Sequence, residues 1–324
     1  MTGSGKLAVV FGGSGFVGRH IVSALAKRGY RVRAAVRRPD LAGYLQPMGA
    51  VGQIQPFQAN LRFPDSVQRA VTGADGVINC VGLLAQSGAQ TFEAVHVDGA
   101  RAVAKAAREA GAARLIHISA IGADSSGKAN YAKTKAAGEQ AVLQEFAGAI
   151  ILRPSIVFGP EDEFFNRFAA MARVSPALPL IGSGLTKFEP VYVGDLAAAA
   201  ANIADGQGVA GKIYELGGPE KLSFRQLLER TLDYTDRSRM LLPLPFWLAK
   251  LQAALTWPLP NALRPITVDQ VRLLKNDNVV SAAAVSEGRT LRRLGVYNPT
   301  AIGSVVPAYL ERFKPRGQYA HYRA

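Results

Sequence analysis

The run Val9-Val10-Phe11-Gly12-Gly13-Ser14-Gly15-Phe16-Val17-Gly18 constrains this chain more than any other stretch. An apolar segment breaks into glycines and resumes as an amphipathic pattern, which reads as a strand, a tight turn and the start of a helix. Each glycine answers a steric need. Gly12 turns the chain at the strand end, Gly15 lets a pyrophosphate approach bare backbone, and Gly18 lets the helix pack close to the sheet. The amides of the first helical turn, with Ser14 and Phe16 beside them, then face the anion. Glycine makes up 33 of 324 residues, so the spacing alone says little and its setting says more. The pattern opens a predicted helix from about Phe16 to Lys27, closed by Gly29, and leads into a second apolar run, Arg31 to Val36, as a βαβ unit requires.

The second strand ends Ala34-Ala35-Val36-Arg37-Arg38-Pro39. A site for NAD usually places an acid here for the ribose 2′-hydroxyl. Two arginines instead suit a 2′-phosphate through charge-assisted bonds, which predicts NADP(H). The stretch from Lys27 to Arg38 carries six basic residues and no acid, so the same arginines also fit a solvated basic face.

Further along, Gly52 to Phe57 is a predicted third strand, followed by Asn60-Leu61, where Asn60 suits either an adenine amino group or a turn. Gly76 to Gly82 reads as a buried strand ending in Val81-Gly82, at the carboxyl edge where a doubly wound sheet binds its ligand. Within it Cys80 is expected to be a small core residue. A long helical pattern from Thr91 to Ala110 precedes the strand Arg114 to Ile118, and another helix runs from Asn130 to about Phe146. Alternating strands and helices predict an α/β fold, a doubly wound parallel sheet of the Rossmann type with a smaller C-terminal lobe. The boundaries expected are 1–158 for the dinucleotide-binding core and 159–324 for the mixed lobe and basic tail, with some elements of the second half returning to the core.

Tyr131 and Lys135 are four residues apart and share a helix face. In a nucleotide site the ammonium can bond the nicotinamide ribose and lower the phenol's pKa, which makes Tyr131 a usable general acid or base. Together with Gly12-x-x-Gly15-x-x-Gly18, this pair resembles the short-chain dehydrogenase/reductase superfamily in its extended or atypical branch. Leu152-Arg153-Pro154-Ser155-Ile156-Val157-Phe158-Gly159-Pro160 is similar to that branch's Arg-Pro-x-x-Val-x-Gly-Pro segment, which the resemblance places beside the nicotinamide, Pro154 included. Val193-Gly194-Asp195-Leu196-Ala197 matches a recurrent strand-to-helix segment. Active members place a Ser or Thr near the end of the fifth strand to polarise the substrate carbonyl. Here His117-Ile118-Ser119-Ala120-Ile121 offers Ser119 only at the start of that run, which argues against turnover.

Composition narrows the partners. The formal net charge is +14 and the sequence pI about 10.1, which calls for an anionic partner: a nucleotide, an acidic lipid surface, a nucleic acid or an acidic protein. No recognisable DNA-reading motif carries the charge, so no nucleic-acid partner is expected. A single cysteine excludes an intrachain disulfide framework. The four histidines lack ligand spacing, so no metal site is expected. Lys6 to Phe11 is too short for a signal-peptide core, which predicts a chain that stays where it is made.

In the second half, Glu161 to Phe168 reads as a helix start with acids near the positive dipole end. Ser223-x-x-Gln226 and Thr267-x-x-Gln270 read as capping boxes. The unusual stretch is Met240 to Arg264, apolar and proline-rich, holding both tryptophans of the chain with Lys250 and Arg264 as its only charges. Its prolines confine a helix to Phe246 to Trp257, about 18 Å long and too short to cross a bilayer core of about 30 Å. It suits a lipid headgroup boundary or a protein groove, or packs as a core helix of the smaller lobe. From Arg264 to the end, ten basic residues stand against four acids, among them Arg289, Arg292, Arg293, Arg312, Lys314 and Arg316. Such a tail suits an anionic lipid surface, an acidic protein surface or a solvated face.

Within the superfamily, Val77 to Leu84, Phe92 to Val97, Ile116 to Ala120 and Arg153 to Asp162 resemble the family of nucleotide-binding accessory subunits of respiratory complex I, in a bacterial version. That resemblance implies NADPH bound structurally, other complex I subunits as partners, and a peripheral place on the cytoplasmic face of the inner membrane, where the two arms meet. Members that have lost catalysis often lack an intact Tyr-x-x-x-Lys, whereas this chain keeps Tyr131 and Lys135. An active NADP-dependent reductase or epimerase using Tyr131, Lys135 and Ser119 on a substrate still unknown is the alternative, and a nucleotide-sensing regulator the second alternative.

Overall fold

The computed structural model describes residues 5–255 and 267–315. It divides into two compact units, the first made of 1–154, 193–216 and 281–297, the second of 155–192, 217–280 and 298–324.

The first unit is built on a seven-stranded parallel sheet. Its strands are β1 (Leu7–Phe11), β2 (Arg31–Val36), β3 (Ile54–Gln58), β4 (Gly76–Asn79), β5 (Arg114–Ile118) and β6 (Ile150–Pro154), with Ile213–Leu216 added beside β6. The order across the sheet is Ile213–Leu216, β6, β5, β4, β1, β2, β3. The chain therefore reverses direction of travel between β1 and β4, the switch point at which such sheets bind ligands beyond their carboxyl ends. All five residues of β1 are buried, as a strand covered on both faces by helices demands. The register Phe11↔Ala35 and Phe11↔Asn79 brings the ends of β2 and β4 level with the end of β1.

Helices α1 (Phe16–Lys27), α2 (Pro64–Val71), α3 (Gly99–Glu109) and α4 (Asn130–Glu145) make the crossovers. One face of the sheet packs Val9, Phe11, Val77 and Leu115 on Val67, Val71, Val103 and Ala107. The bounds of α1, β2 and β5 match the sequence reading. The expected continuous helix from Thr91 to Ala110 does not: Glu93–Asp98 forms a π-helical turn before α3 begins. The Leu152–Pro160 segment divides between β6 and a separate pair of residues, Val157–Phe158.

The second unit packs Phe158, Phe165, Phe188, Phe224, Leu227 and Val306 into its own core. Its helix Phe165–Val174 starts four residues after Glu161, and Asp162 provides the cap: its Oδ1 accepts from the amides of Phe165 (2.7 Å) and Asn166 (3.2 Å). Tyr309 donates to the other carboxylate oxygen, while burial raises the Asp162 pKa above the ordinary range. Both expected capping boxes form, Ser223 with Gln226 and Thr267 with Gln270. The apolar helix spans Phe246–Leu255; Trp257, Arg264 and Arg316 lie outside the described residues. Among the described residues, no helix is long and apolar enough to cross a membrane.

Candidate nucleotide-binding site

At the end of β1 the backbone of Gly12 turns with φ +76°, a left-handed conformation that glycine adopts without strain. Its carbonyl accepts the Gly15 amide at 2.9 Å. A Cβ on Gly18 would lie 2.1 Å from that same carbonyl oxygen, and one on Gly13 would lie 2.9 Å from Ala34 Cβ. Gly18 is therefore needed by the loop's own carbonyl, a closer constraint than the sheet packing expected. Among the described residues no side chain caps α1, and its first turn holds no acid. Such a terminus keeps its amide donors for an anion.

The loop's outward carbonyls are braced from the other side. Tyr44 donates its hydroxyl to Ser14 O at 2.6 Å, Arg19 Nη2 donates to the same oxygen at 3.1 Å, and the guanidinium stacks 5.0 Å above the Tyr44 ring. Sequence reading singled out neither residue, because no motif spacing connects them.

Arg37 and Arg38 are both exposed at the end of β2. Arg38 is paired with Asp40, Nη2 to Oδ2 at 2.6 Å and Nε to Oδ1 at 3.0 Å, and these bonds hold the Asp40 pKa below the usual carboxylate range. The acid-free window of the sequence reading closed two residues too early: an acid is present, turned onto Arg38. Asn60 forms a turn, its Oδ1 accepting the Arg62 amide at 3.1 Å. Leu61 is buried and packs on Gly99, where an added Cβ would come within 2.9 Å.

Three elements converge at the far end of the site. Lys135 is buried on α4, donates to Ile118 O at the end of β5 (3.0 Å), and has Nζ 3.8 Å from where a Cβ of Gly82 would lie. Val81 is held by its amide, which donates to Asn79 Oδ1 at 3.1 Å, and its Cγ2 stands 3.2 Å from where a Gly12 Cβ would be. Burial pulls the Lys135 pKa down from 10.5 to about 8, against the opposing pull of Glu139 one turn further along α4. Cys80 sits beside this ammonium, its thiol pushed up to about 12 by burial. That favours the protonated, unreactive form.

Ser119 does not present its hydroxyl to an open cleft. Its Oγ donates to Glu139 Oε1, and Glu139 is gripped by Arg153 at 2.9 Å and 2.6 Å. Pro154 closes β6 with its carbonyl accepting the Ile121 amide at 2.9 Å. Glu139 and Arg153 were not among the sequence candidates. A signal was available: Tyr131, Lys135 and Glu139 recur every fourth residue on one helix face.

Tyr131 is half-buried in an aromatic nest. His96 meets it edge-on at 5.4 Å, Phe92 does so at 5.9 Å, and Phe92 and His96 stack at 5.2 Å. The Leu83 amide donates to His96 Nε2 at 3.0 Å, so that nitrogen is unprotonated and Nδ1 carries the hydrogen towards Thr134 Oγ1, 3.1 Å away. Burial lowers the imidazole pKa to about 3, with Lys135 contributing. The π-helical turn delivers this geometry: it carries His96, whose carbonyl oxygen would lie 2.0 Å from a Cβ on Gly138 of α4. Burial also raises the Tyr131 phenol to about 12.

The arrangement fits a dinucleotide: uncapped amides and bare glycine at one end, a basic strand end beside them, a buried ammonium and a phenol at the other. Comparison with known proteins agrees. Residues 8–217 match the sequence model of the NAD dependent epimerase/dehydratase family, for which a NAD(P) dinucleotide is the typical cofactor. The chain is 36% identical over 293 residues to mitochondrial NADH dehydrogenase (ubiquinone) 1 alpha subcomplex subunit 9 of Arabidopsis thaliana, covering 87% of this chain and 73% of that protein. It is 37% identical over 193 residues to a ceramide reductase of Caulobacter vibrioides, covering 59% of each. A dTDP-glucose 4,6-dehydratase from Streptomyces venezuelae, 20% identical, shares the fold with a TM-score of 0.69 over 98% of both chains. Glycine loop, parallel sheet and matched sequence together establish that this chain belongs to the NAD dependent epimerase/dehydratase family, the extended branch of the short-chain dehydrogenase/reductases.

Proposed function

We propose that this chain is a NADP(H)-binding accessory subunit of a respiratory NADH:quinone oxidoreductase, holding NADPH without turning it over. The observation that carries the non-turnover reading is the engagement of Ser119. Its hydroxyl is spent on the buried Glu139–Arg153 pair, so it is withheld from a substrate carbonyl that needs a donor in the transition state. The sequence relationship to alpha subcomplex subunit 9 supports the assembly. In this reading Gly12, Ser14, Gly15, Phe16 and Gly18 hold the pyrophosphate, Arg37 and Arg38 the 2′-phosphate, and Asn60 and Leu61 the adenine side. Val81, Gly82, Ser119, Tyr131, Lys135 and Pro154 line the nicotinamide half. The subunit stabilises the junction of the two arms at the cytoplasmic face of the inner membrane, with other subunits of that enzyme as its partners. Native-gel separation of membranes solubilised in mild detergent tests it: the chain is expected to comigrate with NADH:quinone oxidoreductase activity, and recovery only as free protein rejects the reading.

A second reading, an active NADP-dependent reductase, is favoured by Tyr131 and Lys135 standing on one face of α4 and by the likeness to a ceramide reductase. It requires Tyr131→Phe to abolish hydride transfer while NADPH affinity holds. Absence of NADPH oxidation with a panel of ketone substrates, long-chain ketones included, dismisses it.

A further inference from the structure

We infer that the face formed by the strand Met240–Leu244 and the helix Phe246–Leu255 docks onto an anionic lipid bilayer surface, which deepens the membrane placement proposed above. The helix is built inside out for a core element. Ala249 and Ala253 are buried and Phe246 packs against the core of the second unit, while Trp247 (68% exposed), Leu248 and Leu251 face solvent. A helix that packed only for stability would turn the large apolar side chains inward.

The preceding strand continues the face. Among the described residues it pairs on one side only, in parallel with Ala177–Ile181, and it exposes Met240 (64%) and Leu242. Val174 (85% exposed) joins it, because the Arg239 guanidinium bonds Ala172 O at 2.9 Å and the Met240 amide bonds Pro176 O at 3.3 Å.

Charge selects the occupant. Arg173 and Arg239 lie close enough to Arg237 to act on its charge. Arg237 and Arg239 donate to main-chain carbonyls, Phe313 O and Ala172 O, both at 2.9 Å. The nearby acid Asp236 is taken by Lys314 at 3.3 Å. Lys250 adds a cation between Trp247 and Leu251, and no acid occurs from Arg237 to Val268. Large apolar side chains with an indole, on a segment that carries cations and no acid from Arg237 to Val268, match a negatively charged headgroup layer over acyl chains.

The test uses the purified full chain and vesicles of phosphatidylcholine alone or with about one third phosphatidylglycerol. Flotation with the anionic vesicles at low salt, its release by high salt, and a blue shift of Trp247 emission in a Trp257→Phe background are expected. Trp247→Gln with Leu251→Gln is expected to cut partitioning tenfold or more while NADPH affinity is unchanged. Arg239→Gln is expected to cost about fivefold. Absence of flotation, equal salt-insensitive binding to neutral vesicles, or wild-type flotation of the Trp247/Leu251 variant overturns the proposal. A chain that comigrates with the oxidoreductase yet ignores anionic vesicles fails this inference and leaves the proposed function standing; one that floats but comigrates with nothing does the reverse.

Discussion

Arg153 holds Glu139 by both carboxylate oxygens and so ties β6 to the middle of α4, with Ser119 completing the cluster. Glu139 is 4% exposed and Arg153 22%. Removing one partner of a buried pair strands the other charge. Glu139→Gln is expected to cost about 3 kcal/mol of stability, read as a lower denaturant midpoint with an unchanged m-value. A midpoint equal to the wild type would show that the pair is not structural.

Lys135 makes stability and nucleotide affinity move in opposite directions with pH. Its pKa in the folded chain, about 8, lies below its ordinary value of 10.5. Above about pH 8 the unfolded chain therefore holds a proton that the folded chain has released, and stability rises with pH. Cys80 and Tyr131, both raised to about 12 from 9.0 and 10.0, oppose that rise above about pH 9. Between pH 8 and pH 9 the ligand-free chain is expected to gain stability while NADPH affinity falls, because the ammonium that the proposed function offers to the ribose is lost. Calorimetry with and without NADPH checks both trends, and Lys135→Met should flatten both.

The buried imidazoles govern the acid side. His96 and His117 both fall to about 3 from an ordinary 6.5, chiefly through burial. Below about pH 6.5 the unfolded chain protonates at these positions and the folded chain does not, so stability falls as pH drops towards 3. His96→Gln should reduce the proton uptake on unfolding at pH 5 by close to one proton, measured as the slope of stability against pH. An unchanged slope would mean that His96 titrates normally in the fold.

The fold is legible in the sequence where one local interaction dominates. Helix α1 is legible because Gly15 and Gly29 bracket an apolar period, and the Ser223 and Thr267 caps because each needs only a glutamine three residues on. The fold is not legible where partners are distant in the chain. The Ser119 hydroxyl is directed by Glu139, twenty residues away, and by Arg153 beyond it. The π-helical turn at Glu93–Asp98 leaves no compositional mark, and its close neighbour is distant in the chain: the His96 carbonyl lies where Gly138 of α4 has no Cβ. The helix Phe246–Leu255 reads equally as a core element until burial shows Ala249 and Ala253 inside and Trp247 outside.

Glycine at position 18 tests whether the loop geometry is the binding geometry. An alanine there brings a methyl carbon to 2.1 Å from Gly12 O, so either the helix start or the turn must move. NADPH affinity in Gly18→Ala is expected to fall tenfold or more, read by protein-to-nicotinamide energy transfer. Gly138→Ala, which presses on the His96 carbonyl at 2.0 Å, should instead lower the melting temperature of the ligand-free chain. Comparable loss of stability in both variants, with affinity intact in Gly18→Ala, would separate the loop from the nucleotide.

Cofactor choice turns on Asp40. With Arg38 committed to it at 2.6 Å, Arg37 is the guanidinium at the strand end that is not drawn into that pair. A charge-assisted bond to a 2′-phosphate contributes about 1.5–3 kcal/mol. Arg37→Ala is therefore expected to weaken NADPH by roughly ten- to a hundredfold and to leave NADH nearly unchanged, since NADH has no phosphate to lose. Asp40→Asn removes the carboxylate that competes for Arg38 and repels the phosphate, so it should tighten NADPH and not NADH. Titration of both nucleotides against both variants decides the matter: if Arg37→Ala weakens NADH and NADPH alike, the arginines form a solvated basic face and the proposed preference for NADP(H) fails.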